Sequence, residues 1–186
     1  MESILLLLSI VQLTTAVFNY GACPEPEVVK NFNASAYMGL WYEAARVEGM
    51  PFEHGDCDRA HYTLNRNGTI LVVNSEVEDD GKWKTAVGDA YCASNGSAYC
   101  HVRFSSLSPY ADYKVLTTDY SSHAVVFTCT NFYAFHLSFG WFLEREKGTL
   151  NYKDYMQYFE PLGITEKDIH VTGQTDCPPF NGFELI

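Results

Sequence analysis

Positive charge is scarce in this chain. Twelve Lys and Arg stand against 23 Asp and Glu, a formal net charge of -11 over 186 residues. An acidic chain without a basic stripe repels phosphate backbones, which argues against nucleic acid as a partner. Metal-ligand spacing is missing as well. No two cysteines stand in C-x-x-C, and none of the six histidines (His54, His61, His101, His123, His136, His170) forms an H-x-H or H-x-x-x-H pair. Surface histidines are therefore expected, with no metal site and no required cofactor. Neither a Ser/His/Asp constellation nor a phosphate-binding loop is visible, so a non-enzyme is expected. No internal repeat, low-complexity tract or domain linker interrupts the chain, and its length suits one all-β domain. No apolar run reaches the roughly 20 residues of a membrane-spanning helix.

The one sizeable apolar run lies at the start. Ile4 to Leu8 and Ile10 to Leu13 form a core of secretory-signal length, and Thr14-Thr15-Ala16 offers a small-residue cleavage site. Only Glu2 is charged there, so the usual basic lead is absent. Residues 1–16 are expected to be a signal peptide, leaving 17–186 as a single secreted domain. Six cysteines (Cys23, Cys57, Cys92, Cys100, Cys129, Cys177) all lie beyond it. An even number in an oxidising compartment predicts three disulfides, and leaves no reactive thiolate. Sequons at Asn33, Asn67 and Asn95 are credible glycosylation sites in the same context.

What is abundant is strand-forming sequence. Aromatics make up 15% of the chain. Segments rich in Val, Thr, Tyr and Phe, separated by turn residues, predict strands at 40–48, 58–65, 69–77, 82–91, 99–106, 111–118, 123–129 and 132–143. Asn67-Gly68 and Asp80-Gly81 mark hairpin turns. Short connections favour antiparallel neighbours, and eight such strands close into an up-and-down barrel without exposed edges. Tyr152, Tyr155, Met156, Phe159 and Leu162 then recur at helical spacing, with Asn151 as cap and Pro161 and Gly163 as terminators. An α-helix over about 150–162 is expected on the outer wall, followed by an irregular tail.

In such a meander three separated segments meet at one end. Gly39-Leu40-Trp41-Tyr42 opens the first strand, Thr118-Asp119-Tyr120 follows the sixth, and Arg145 follows the eighth. Glycine permits a tight approach, the indole is a broad plug with one N–H donor, and arginine stacks on it through a cation–π contact. Gly39, Trp41, Thr118, Asp119, Tyr120 and Arg145 are therefore the closure residues. The longest loop of the opposite end, residues 49–57 with Met50-Pro51-Phe52, becomes the lip of an open mouth. Glu43 is expected inside beside Trp41, with Arg46 or Arg145 as partner.

These residues resemble the three signature regions of the lipocalin family, and the similarity runs from about Cys23 to Cys177. Asn31-Phe32 with Tyr37 to Glu43, then Thr118-Asp119-Tyr120, then Phe135-His136 with Trp141 to Arg145 stand in the family's order. The resemblance implies a cavity holding a small hydrophobic molecule, with Cys23 paired to Cys129 and Cys57 to Cys177. Cys92 and Cys100 depart from that pattern, but flank a predicted turn and are placed to pair across it. Alternation sets Tyr133, Phe135, Leu137, Phe139 and Trp141 on one apolar face, opposite His136, Ser138 and Gly140. It likewise turns Ala60, Tyr62 and Leu64, Val102 and Phe104, and Tyr113 and Val115 inward. By itself alternation fits a filled core as well as a hollow one. The resemblance favours the hollow one and puts Tyr62, Asn74 and Trp141 at its wall. The parity of Asn74 is open, because the strand at 69–77 is apolar on both faces. Tyr62, Asn74, Phe104, Tyr113, Phe135 and Trp141 are the candidate ligand contacts. The expected function is extracellular transport of a bilin, retinoid, steroid or fatty acid. The alternative is an interaction module whose mouth loops meet a lipoprotein, membrane surface or receptor.

Overall fold

The computed structural model describes residues 17–182, so the expected signal peptide lies outside the described residues. Strands β1 (Val17–Tyr20), β2 (Gly39–Val47), β3 (Asp56–Leu64), β4 (Ile70–Val77), β5 (Trp83–Cys92), β6 (Tyr99–Arg103), β7 (Ala111–Thr118), β8 (His123–Phe132), β9 (Phe135–Glu144) and β10 (Ile169–Val171) form one sheet. Its order is β1-β9-β8-β7-β6-β5-β4-β3-β2-β10. Antiparallel pairing of β9 with β2, from Tyr42 opposite Glu144 to Arg46 opposite Trp141, closes β2 to β9 into an eight-stranded barrel. The expected boundaries hold within a few residues for every barrel strand.

Two short strands extend the sheet, one in the entering chain and one in the tail, where irregular chain was expected. β1 pairs with the first half of β9, and β10, within the tail, pairs with the last third of β2. β1 covers β9 backbone that the β2–β9 closure leaves unpaired, and β10 covers the edge of β2 beyond its ladder with β3, which ends at Tyr42. Both remove exposed edge. A one-turn helix α1 (Ala34–Tyr37), capped by the Asn33 side chain, leads the chain across the base into β2.

The outer segment is the clearest departure from expectation. Residues Tyr152–Tyr158 and Glu160–Leu162 are 3-10 helix rather than α-helix. Its backbone bonds run three residues back, from Asp154 to Asn151, Phe159 to Met156 and Leu162 to Phe159. The apolar residues explain this in retrospect: Tyr152 and Tyr155, then Met156, Phe159 and Leu162, recur in steps of three, the repeat of a 3-10 turn. Position and burial are as expected. Phe159 is fully buried against Phe142 of β9, in a core that includes Met156, Val47 and Ile164. Burying such a ring contributes about 1.5–3 kcal/mol. A second core cluster of Trp41, Tyr37, Tyr62, Val126 and Leu143 fills the base of the barrel.

The face of β9 opposite the lumen is drier than alternation alone suggested. His136 and Ser138 are buried, His136 beneath the entering chain with Nδ1 3.1 Å from the Gly21 carbonyl oxygen. Tyr133 is not on a strand. It sits in the β8–β9 turn at φ 47°, fully exposed, because the two strands run up to Phe132 and Phe135.

Candidate functional site

The base is sealed by a small number of directed contacts. Trp41 is fully buried, and its indole Nε1 donates to the Tyr37 carbonyl at 2.9 Å. The Arg145 guanidinium lies 3.7 Å from the Trp41 ring centroid. Its N–H groups donate to backbone carbonyls of Leu40 (2.6 Å), Met38 (2.9 Å) and Tyr120 (3.0 Å), which staples β2, α1 and the β7–β8 turn to the end of β9. Gly39 has φ +94°, a conformation that favours glycine, and a Cβ there would make ordinary contact with Arg145 Nη1 at 3.4 Å. Thr118 Oγ1 accepts from the Tyr120 N–H and donates to the His123 carbonyl. Asp119 accepts the backbone N–H groups of Ser121, Ser122 and His123. Burial opposes its charge, but the Ser122 hydroxyl and these N–H donors outweigh that and hold its pKa well below the usual carboxylate range.

Above this floor lies an open-topped lumen of about 500 Å³. Of the expected contacts, Tyr62, Asn74, Phe104, Tyr113 and Trp141 border it. Val72 and Asn74 face it together, which fixes the parity of β4. Phe104 stands at the mouth, 44% exposed, just past the end of β6. Phe135 lies elsewhere: its ring packs on Phe18 of β1 at 4.5 Å and on Phe132 at 5.6 Å. The parity expected for Phe135 is kept, but β9 begins beyond the lumen, and β1 fills the space beside it. Val115 is buried in the base cluster and Leu64 is exposed at the end of β3. Phe52 of the lip is half exposed, with its ring 5.5 Å from Phe139 across the mouth.

Two polar groups form in the lumen, and the sequence reading gave some of their members but not their grouping. At the floor, Tyr113 Oη bonds both Tyr37 Oη (3.0 Å) and Tyr62 Oη (3.1 Å). Burial pushes all three phenols up, Tyr62 to about 12. Higher up, Glu43, Glu53 and Asp58 gather around Arg46. Arg46 Nη1 lies 2.7 Å from Glu43 Oε1 and 3.4 Å from Asp58 Oδ2, and Nη2 donates to the Gly55 carbonyl at 2.9 Å. The Thr172 hydroxyl donates to Glu43 Oε1, and Trp141 Nε1 donates to Glu53 Oε2 at 2.6 Å. Burial, then the neighbouring Glu43 charge, pushes Glu53 up to about 8 and Asp58 up to about 9. Burial likewise raises Glu43, against the pull of Arg46.

Of the two partners considered for Glu43, Arg46 is the one found. It turns toward Glu43 and Asp58 because a bulge between Glu43 and Ala45 shifts the β2 register against β9. After the shift Ala45 and Val47 pack under the outer segment. Asp58 shares the parity of Ala60 and Tyr62, a signal the sequence did contain. The position of Glu53 in the lip carried none.

Cys23–Cys129, Cys57–Cys177 and Cys92–Cys100 are the disulfides, the pairs expected, and no cysteine among the six is free. The sequon residues Asn33, Asn67 and Asn95 are all exposed, at α1 and in the β3–β4 and β5–β6 turns of the closed end.

A closed antiparallel barrel with a tryptophan plug, an arginine staple and a hollow lumen defines a lipocalin. Residues 32–171 match the family described as Lipocalin-like domain, and the chain belongs to that family. It is 37% identical over 169 residues to apolipoprotein D of Rattus norvegicus, with 88% of each chain covered. Apolipoprotein D of Mus musculus is 39% identical over 171 residues, again with 88% of each covered. Among solved structures, insecticyanin of the tobacco hornworm Manduca sexta superposes with a TM-score of 0.76 at 22% identity, covering 87% of this chain and 92% of its own.

Proposed function

We propose that this protein is a secreted carrier that holds one small hydrophobic molecule in the barrel lumen. The observation that carries this reading is the lumen itself. About 500 Å³ of mostly apolar wall, sealed at the base and open at the lip, lies within the range of small-molecule pockets. The ligand classes that fit are bilins, retinoids, steroids and fatty acids, with Trp141 as a stacking face and Tyr62 and Asn74 as polar contacts. Three disulfides support an oxidising, extracellular setting. The sequons all lie at the closed end, so glycans there leave the mouth clear. With every cysteine bonded, no thiolate is available for thiol catalysis.

Tryptophan fluorescence tests the reading. Adding such a ligand to purified protein is expected to quench emission and saturate near one ligand per barrel. Absence of saturable binding across all four classes removes the carrier function. One observation favours a second reading, in which the mouth docks on a lipoprotein, membrane surface or receptor: Phe52, Leu107 and Tyr133 are exposed there. Phe52→Ser separates the two, since docking is then lost while saturable quenching persists.

A further inference from the structure

The lumen wall is short of positive charge and of hydrogen-bond donors at one place. Glu43, Glu53 and Asp58 each present a carboxylate oxygen within 4.8 Å of the others, and all three border the lumen. A single guanidinium serves them, that of Arg46, and it is already shared with the Gly55 carbonyl and the Thr172 hydroxyl. The other cations bordering the lumen are engaged elsewhere. Lys84 meets Glu76 and Glu78, Arg59 lies on the Phe180 ring, and Arg103 pairs with Asp89. A separate observation comes from β8. Thr128 is 8% exposed and lines the same lumen, and its Oγ1 has no partner among the described residues. It stands opposite Phe139, whose ring meets Phe52, the neighbour of Glu53. Asn74 Oδ1, on the facing wall, is likewise unpartnered. A buried polar atom left unsatisfied is costly, so these atoms await a group that brings N–H or O–H.

Resting on the carrier reading, we propose that the ligand is an amphiphilic organic cation, its protonated amine seated among Glu43, Glu53 and Asp58 and its hydrocarbon body in the apolar lumen. An ammonium supplies positive charge and several donors in place of the protons that Glu53 and Asp58 otherwise hold. The raised proton affinity of Glu53 and Asp58 has the same origin, since buried carboxylates crowd together with too little countercharge. A bare divalent ion is disfavoured, because the Arg46 guanidinium sits within the cluster, where it would repel the ion. The adjoining cavity has room for an organic body, which an ion does not use.

Calorimetric titration of the full secreted chain with 4-phenylbutylamine and 4-phenylbutanol, which share one skeleton, tests the proposal. At pH 7 the amine is expected to bind about tenfold or more tightly than the alcohol, a difference of about 1.4 kcal/mol. In the double variant Glu53→Gln with Asp58→Asn that ratio is expected to narrow to about twofold or less. Equal affinities in the unaltered protein overturn the proposal, and that comparison does not depend on how the variant folds. An amine advantage that survives in the folded double variant overturns it as well, as does competitive displacement of the amine by calcium or zinc, which would mark a metal site. If the alcohol or any of the four ligand classes binds while the amine shows no advantage, only this inference falls. If nothing binds, the carrier reading falls with it.

Discussion

Arg145 carries more of the base than any other side chain, through one cation–π contact and several bonds to backbone carbonyls on three segments. Arg145→Ala leaves those carbonyls without a donor and is expected to cost about 2–4 kcal/mol in urea unfolding. Arg145→Lys should recover less than half of that, since a point ammonium cannot span the fork of acceptors. The acidic cluster makes a second prediction at this scale. Asp58 and Glu53 hold protons in the folded state up to about pH 9 and 8, protons that an unfolded chain gives up near pH 4. Raised carboxylates stabilise the fold fully at low pH and lose that contribution as pH rises through the folded values. The urea midpoint is therefore expected to fall between pH 5 and 9, and Asp58→Asn should flatten the slope by up to about 1.4 kcal/mol per pH unit. An identical slope in the variant would refute the assignment.

At the level of elements, the outer segment depends on a glycine in the barrel wall. A Cβ at Gly140 would come within 2.4 Å of Phe159 Cζ, and the fully buried Phe159 ring has no room to move away. Gly140→Ala is expected to destabilise by about 1–3 kcal/mol, and Phe159→Leu in the same chain should restore part of that, read as thermal midpoints of the two variants. This packing also shows where sequence reading stopped. The apolar positions of residues 152–162 identified an outer segment and its buried residues correctly. Steps of three and four are mixed in so short a run, so the choice between α and 3-10 fell to the contact with β9. Strand alternation likewise placed Tyr62, Tyr113 and Trp141 at the lumen. It left the partner of Glu43 open between Arg46 and Arg145, because the bulge that turns Arg46 toward Glu43 resets parity at a point no composition marks.

On the scale of the whole molecule, two disulfides tie distant parts of the chain and the third closes a hairpin. Their sequence separations are 106, 120 and 8 residues. In the chain-entropy view, closing a loop of about 100 residues contributes about 4.7 kcal/mol, and one of about nine residues about 2.5. Replacing Cys57 and Cys177 together by Ser is thus expected to lower the thermal midpoint clearly more than replacing Cys92 and Cys100. The first change also frees the tail that brings Thr172 to Glu43, so it should weaken ligand binding too.

Sequence alone determined the eight barrel strands, their antiparallel order, the closed end and most of the lumen wall. These follow from local alternation, short turns and three signature segments whose ends must coincide in a meander. Tertiary structure decided the rest: the β1 and β10 edges, the 3-10 geometry, the place of Phe135, and the meeting of Glu43, Arg46, Glu53 and Asp58. Each of those depends on which backbone lies across the way. A carboxylate's neighbours and proton affinity exist only once strands far apart in sequence have closed around it.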